Sequence, residues 1–260
     1  MRRNEGASRR GFLRGASVAA GTLVLGGCDA LSQAPWFRNV LSSAEWLTIG
    51  AQRAVLGEGD LAPEYAETDL SSKFRANGST SPDDPKYVAM AANGFADWRL
   101  KVEGLVEAPA EYSLADLRAM PSRTQITRHD CVEGWSCIGK WKGVPLAHVL
   151  EAVRLKPQAR YLVFHCADAL EKTLDGSGIY YESIDLDDAF HPQTILAYDM
   201  NDATLAIPHG APIRLRVERQ LGYKMAKYVM RIEAVESFAA LGGGKGGYWE
   251  DRGYEWYAGI

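Results

Sequence analysis

Thr127-Arg128-His129-Asp130-Cys131-Val132-Glu133-Gly134-Trp135-Ser136 is the stretch from which the fold and chemistry of this chain are read. The residues around Cys131 follow neither helical nor strand periodicity, so burial alone does not account for the thiol. Polar groups crowd it, with Arg128, His129 and Asp130 before it and Glu133 and Ser136 after it. Cationic neighbours ease the loss of a thiol proton, and the thiolate is the form that binds a soft metal or attacks a substrate. Trp135 and Trp141, interleaved with Gly134, Gly139 and Gly143, predict a tight, walled loop that turns into a helix at Pro145.

Working outward, Gln125-Ile126-Thr127 reads as a strand that delivers this loop. Residues 145–153 read as a helix with Leu146, Val149 and Leu150 on one face. Tyr161-Leu162-Val163-Phe164 reads as a compact buried strand, 183–190 as a short helix, and 194–197 as a further apolar piece. Upstream, Trp98, Leu100 and Val102 alternate with Arg99, Lys101 and Glu103, which predicts a half-buried strand. Ser113 has the character of a helix cap. Ser42-Ser43-Ala44-Glu45 reads as a capping box opening a helix that Gly57 ends, and 57–86 as a long surface loop. Short strands mixed with short helices, without regular βα alternation, predict an α+β fold rather than a doubly wound sheet.

A second constellation lies downstream. His209-Gly210-Ala211-Pro212-Ile213-Arg214-Leu215-Arg216 is followed by Leu221-Gly222-Tyr223-Lys224-Met225-Ala226-Lys227. Ile213, Leu215 and Val217 alternate with Arg214, Arg216 and Glu218, giving one apolar and one charged strand face. Such cations suit a phosphate, because Arg binds oxyanions in a fork and Lys as a point charge. A solvated strand face with a surface lysine pair is the plainer reading.

The chain has 260 residues, 47% of them hydrophobic and 24% charged, as in an ordinary globular protein. Its formal charge is −4, although Arg2, Arg3, Arg9, Arg10 and Arg14 stand against Glu5 near the start. The body is therefore more acidic than the whole, which argues against a nucleic-acid partner. Ser8-Arg9-Arg10-Gly11-Phe12-Leu13-Arg14 before a mild apolar stretch resembles a twin-arginine export signal, which implies a periplasmic protein that folds before export. Leu25-Gly26-Gly27-Cys28 resembles a lipoprotein cleavage box. That implies a lipid anchor at Cys28, with simple cleavage nearby or a retained signal anchor as alternatives. An exported protein meets an oxidising compartment, and with Cys28 lipidated and Cys131 on a metal only Cys137 and Cys166 could pair.

The block Cys131-Val-Glu-Gly-Trp-Ser136, with Trp141-x-Gly143-Val-Pro-Leu146, resembles the molybdopterin domain of the sulfite oxidase family. It is most similar to the bacterial periplasmic branch that includes the catalytic subunit of protein-methionine-sulfoxide reductase. The likeness runs from about Phe74 to about Ile232. It implies Mo-molybdopterin as cofactor, with Cys131 as the only protein ligand to the metal and Glu133 as an acid beside it. It further implies pterin or phosphate contacts from Phe74, Arg75, Cys166, His209, Arg214, Met225, Ala226 and Lys227, some through backbone groups. The implied organisation is an export signal over 1–28, an N-terminal helix and loop over 29–78, and a molybdopterin-binding oxidoreductase domain over 79–260.

One departure bears on substrate. True sulfite oxidases carry an arginine-rich segment after the cysteine, where this chain has Val-Glu-Gly-Trp. An acid near the metal disfavours a small dianion, so oxygen-atom transfer on a small oxo or sulfoxide-type molecule is expected over sulfite oxidation. A haem-binding Cys-x-x-Cys-His is absent from the sequence. Electrons are therefore expected to pass to or from a separate membrane cytochrome or quinol-linked partner. The competing readings are a sulfite dehydrogenase, a cofactor-free binding or assembly protein on the same fold, and a cysteine-nucleophile hydrolase with His129 as base.

Overall fold

The computed structural model describes residues 34–57 and 59–260, and the export-signal and Cys28 readings lie outside them. Helix α1 (Pro35–Leu56) forms one compact unit by itself, and the residues from Gly57 onward form a second. The helix opens at Pro35, seven residues before the expected capping box; a proline is well suited to a first helical position, where its missing N–H costs nothing.

The second unit is α+β, built on two five-stranded sheets. The first has the order β2 (Ala110–Tyr112), β1 (Leu100–Gly104), β10 (Val229–Val235), β5 (Tyr161–Ala169), β6 (Ile179–Asp185). Within it β1 and β10 run parallel and the remaining pairs antiparallel. The second has the order β3 (Arg123–Cys131), β4 (Trp135–Pro145), β7 (Ile195–Met200), β8 (Ala203–Thr204), with β9 (Arg214–Arg216) also paired to β7.

Short helices join the strands. Helix α2 (Pro85–Ala92) begins at the end of the expected long loop, and Asp84 caps it by accepting from the Tyr87 N–H at 2.8 Å. Helix α3 (Leu114–Ala119) carries the cap foreseen at Ser113, and the structure shows it to be reciprocal: its hydroxyl accepts from Asp116 N, while Asp116 accepts from Ser113 N. Helix α4 (Leu146–Val153) buries Leu146, Val149, Leu150 and Val153, as its periodicity requires. These four join Trp98, Leu100, Val102, Leu162, Phe164, Ile232 and others in the main core. A smaller cluster of Phe74, Trp141, Ile195, Ala197, Met200 and Leu205 lies against the second sheet.

Two expectations need correction. Residues 135–145 form a strand, not a loop: β4 pairs with β3 from Cys131↔Trp135 to Arg123↔Gly143, and with β7 on its other edge. Its glycines mark close packing rather than turns. A Cβ at Gly143 would lie 2.2 Å from the Leu196 carbonyl oxygen, and one at Gly139 would lie 3.0 Å from the Phe74 ring. Residues 183–190 are also not one helix. Strand β6 runs to Asp185, whose carboxylate then accepts from Asp188 N at 3.1 Å and caps the single turn α5 (Leu186–Ala189).

Candidate active site

Cys131 is the last residue of β3, at the mouth of the β3–β4 hairpin. The hairpin turns at Gly134, which sits at φ +85° and donates its N–H to the Cys131 carbonyl at 2.9 Å. The Asn77 side-chain amide donates to Cys131 Sγ at 3.4 Å. Burial raises the thiol above its ordinary range, opposed by the Glu133 backbone N–H, Asn77 and Arg75. The cationic surroundings expected from the sequence are thus weaker than the burial. Arg128 spends its charge on Asp130 at 2.9 Å, and Asp130 also receives the Ser136 hydroxyl.

The segment from Phe74 to Ser79 lies across the hairpin. Phe74 is buried against His129, Trp141 and His209, with ring centroids 5.3–5.7 Å away. Arg75 stacks over Trp135 at 5.2 Å and lies 3.8 Å from the Glu133 carboxylate. The Trp135 ring N–H donates to Glu133 at 3.1 Å. This bond, then Asn77 and then Arg75, holds Glu133 below the usual carboxylate range. At neutral pH it is a carboxylate whose charge Arg75 offsets.

His129 is buried two residues before the thiol. Its Nδ1 lies 2.9 Å from Arg216 Nη1, a group that can only donate, and 3.2 Å from Met225 Sδ. Nδ1 is therefore the acceptor and the proton resides on Nε2. Burial, then Arg216 and Arg214, pushes the imidazole well below its ordinary pKa, so the ring is neutral.

Below the hairpin lie two cations of unusual environment. Arg214 is buried, and its guanidinium donates to the carbonyls of His209 (3.1 Å) and Met225 (3.3 Å) while its Nε has no partner. Burial, then Arg216, pushes it down to about 9. Lys227 donates to the carbonyls of Asn77 (2.8 Å), Ser79 and Pro208 (3.3 Å). Burial, then Arg214, pushes it down to about 8. Among the described residues no carboxylate lies within ion-pair distance of either cation. Other buried cations nearby are matched: Arg216 with Glu218 at 2.6 Å, Lys224 with Glu182 at 2.5 Å and Glu250 at 2.6 Å, and Arg219 with Asp188 at 3.0 Å. Gly210, at φ +110°, lets the backbone close over the pair. A Cβ there would lie 2.9 Å from Lys227 Cβ and 3.2 Å from Arg214 Cβ. Cations whose hydrogen bonds go to carbonyl oxygens and not to a carboxylate remain a strong attraction for an oxyanion.

One cavity of about 420 Å³ connects these groups, a size suited to a cofactor-sized ligand. Of the residues singled out in the sequence, Phe74, Arg75, Cys131, Glu133, His209, Arg214, Met225 and Lys227 line it. Cys166 and Ala226 do not line it. Cys166 is buried on β5, and Ala226 is buried with its carbonyl taken by Leu215 N at 2.8 Å. Cys131, Cys137 and Cys166 are all free thiols. Cys137 stands on β4 and Cys166 on β5, in different sheets.

Sequence reasoning passed over three sets of lining residues. Asn77, two residues after Arg75, was given no role. Asp168, which follows Cys166 by two positions, is buried in the wall with Oδ1 unpartnered, and burial lifts it to about 6 against the pull of Lys227. Tyr223, Trp249 and Tyr254 supply an aromatic side. The last two stand in an aromatic-rich stretch, Tyr248 to Tyr257, far from either quoted block.

Residues 87–239 match the family model described as the oxidoreductase molybdopterin binding domain. A putative protein-methionine-sulfoxide reductase subunit, YedZ1, of Azospira oryzae is 36% identical over 252 residues, covering 97% of this chain and 88% of that protein. The catalytic subunit of protein-methionine-sulfoxide reductase of Ralstonia nicotianae is 38% identical over 178 residues, 66% of this chain and 53% of that protein. The sulfane dehydrogenase SoxCD of Paracoccus pantotrophus overlays with a TM-score of 0.48 at 24% identity, over 54% of this chain and 39% of that one.

Proposed function

This chain belongs to the sulfite oxidase-like family of oxidoreductase molybdopterin-binding domains and is a molybdopterin-dependent oxidoreductase, and from that premise we propose that it reduces a sulfoxide-type substrate after export to the periplasm. The cavity's own chemistry fits the cofactor. Buried Arg214 and half-buried Lys227 offer a terminal phosphate two cations with no carboxylate at ion-pair distance among the described residues, and Arg214 Nε is a donor without a partner. Cys131 stands in the same cavity as the one thiol on its lining, as a soft metal ligand requires. That coincidence of thiol and unmatched cations is the observation that carries the reading.

In this reading Cys131 holds molybdenum. His209, Met225, Phe74 and Arg75 line the pterin, and Arg214 with Lys227 grips its phosphate. Cys166 and Ala226 back the wall from the core. When bound, molybdopterin supplies the two-electron oxygen-atom transfer. The overall change is R2SO + 2 e− + 2 H+ → R2S + H2O. Electrons come from a separate donor, a membrane cytochrome or quinol-linked protein.

The chain's residues set up the rest. Asn77 and the Glu133 backbone N–H donate toward Cys131 and favour its thiolate over the protonated form that burial prefers. Glu133 and Arg75 offset one another at the mouth, which leaves no net positive charge there to draw in a dianion. An uncharged sulfoxide meets no such barrier. Glu133, as the exposed carboxylate nearest the thiol in sequence, is assigned the passing of protons between solvent and the site. Residues 1–28 are assigned to twin-arginine export with an anchor at Cys28, 29–78 to the N-terminal helix and loop, and 79–260 to the oxidoreductase domain.

The test is molybdenum content joined to a substrate screen. Exported protein should carry one molybdenum per chain and oxidise a reduced viologen dye in the presence of an alkyl sulfoxide but not in its absence. Protein that carries molybdenum yet turns over sulfite and no sulfoxide would replace this reading with that of a sulfite dehydrogenase.

A further inference from the structure

The family model ends at residue 239, yet two residues beyond it, Trp249 and Tyr254, line the same cavity as Cys131. Their rings stack, with centroids 5.2 Å apart and planes at 26°. Tyr223 meets Tyr254 edge-on at 5.2 Å and 85°, and its hydroxyl donates to the Glu255 carbonyl at 2.7 Å. Tyr254 is 38% exposed, which places it at the mouth rather than in the depth of the cavity.

This aromatic side is fixed rather than draped. Glu250, next to Trp249, is buried and ion-pairs with the equally buried Lys224, two residues from Gly222 on the cavity lining. The Trp256 ring N–H donates to Ser183 Oγ at 2.9 Å, Leu221 N to the Ala258 carbonyl at 2.9 Å, and Ile260 N to the Arg219 carbonyl at 3.0 Å. Asp251 gathers the glycine-rich turn, accepting from Gly243 N at 2.7 Å, Lys245 N at 3.0 Å and the Tyr181 hydroxyl at 2.5 Å. These contacts tie the segment to the domain on both sides of its two rings.

The cavity is divided in character. Its charged lining residues, Arg75, Glu133, Asp168, Arg214 and Lys227, all come from elements within 74–227, while the tail contributes π faces and no charge. An aromatic face carries negative charge density. It attracts C–H groups and polarised sulfur and gives an anion nothing to bind.

We propose that Trp249 and Tyr254 form a specificity wall that holds the organic arm of an uncharged sulfoxide beside the metal site and makes the enzyme a poor acceptor of small inorganic oxyanions. The proposal rests on the oxygen-transfer reading above and adds to it which residues choose the substrate. Two ring contacts of ordinary strength correspond to a change in substrate affinity on the order of tenfold. A contact made equally by substrate and transition state appears in KM and leaves kcat.

The experiment uses full-length holoenzyme, reduced viologen as electron donor and methyl phenyl sulfoxide as probe. The Trp249→Leu/Tyr254→Leu double variant keeps apolar bulk and removes both π faces; Trp249→Phe and Tyr254→Phe restore a face each. The expected result is a rise in KM on the order of tenfold for the double leucine variant, with molybdenum stoichiometry held and the phenylalanine variants close to wild type. A KM unchanged in the double leucine variant overturns the proposal. So does loss of molybdenum in that variant, which would make the wall part of the cofactor shell. Wild-type holoenzyme that reduces no sulfoxide at all overturns the reading beneath it instead, and the two failures are told apart by the wild-type control.

Discussion

Arg214 and Arg216 stand two residues apart on β9, both buried and both over the Trp141 ring, at 5.1 Å and 4.4 Å. Replacing each with methionine should nevertheless give opposite results. Arg216 grips Glu218 through two bonds of 2.9 Å and 2.6 Å, both side chains fully buried. Arg216→Met strands that carboxylate with only the Gln125 amide at 2.8 Å, at a cost of about 3–5 kcal/mol. For a domain of this size that lowers the melting temperature by roughly 6–20 °C, with or without cofactor. Arg214 has no carboxylate to strand. Its depression to about 9 means the folded protein bears a penalty of roughly 5 kcal/mol for the charge at neutral pH. The penalty is fully present below that value and fades only as pH rises through it. Arg214→Met relieves this penalty but leaves the carbonyls of His209 and Met225 without their donor, at about 1–3 kcal/mol each. The two effects nearly cancel, so cofactor-free Arg214→Met should melt within a few degrees of wild type while losing molybdopterin. The assay is thermal melting of protein made in cells with and without cofactor synthesis, alongside molybdenum and pterin content. Equal destabilisation of the two cofactor-free variants, or wild-type cofactor content in Arg214→Met, would refute the assignment of Arg214 to anion binding.

Other outcomes follow from the same geometry. Cys131→Ser should remove molybdenum, measured by elemental analysis, while cofactor-free protein melts close to wild type, since a serine hydroxyl can accept from the same Asn77 amide and Glu133 N–H that meet the thiol; retained metal and turnover would end the ligand assignment. Glu133→Gln should keep molybdenum and flatten the acid limb of the pH–rate profile, because a carboxylate held below its usual range takes up protons only in acid; loss of metal would instead place Glu133 in the turn that supports Cys131. Asp168 has its folded pKa raised from 3.8 to about 6, so its stabilising contribution is complete below 3.8 and disappears as pH rises through 6. Cofactor-free Asp168→Asn should therefore be more stable than wild type at pH 7 by up to roughly 3 kcal/mol, and no more stable at pH 4. Denaturant titrations at the two pH values decide it, and a pH-independent difference would contradict the burial of an ionised carboxylate.

Chemistry that sits within short runs was legible in the sequence. The Cys131 block and the His209 to Lys227 block hold Cys131, Glu133, His209, Arg214, Met225 and Lys227, which the fold gathers around one cavity, while Phe74 and Arg75 came from the family resemblance. Periodicity likewise found α4 and the strand from Leu100, where an apolar stripe faces a core regardless of what lies beyond. What escaped depends on partners distant in the chain. Gly139 and Gly143 looked like turn residues because nothing local reports the Phe74 ring or the Leu196 backbone pressing on them. The alternation of β9 alone could not tell a solvated charged face from a phosphate site, because the carboxylate that matches Arg216, and the absence of one for Arg214 among the described residues, appear only once β9 meets β3 and β7. The tail was hardest of all. Trp249 and Tyr254 reach the cavity because Lys224, fixed by β6 through Glu182, leaves a second bond for Glu250. A lysine flanked by two buried carboxylates is thus the joint that carries a segment outside the family domain into the active site. On the proposed reading, the chemistry of the metal and the choice of substrate are set by separate parts of the chain, and a relative could exchange the second while leaving the first untouched.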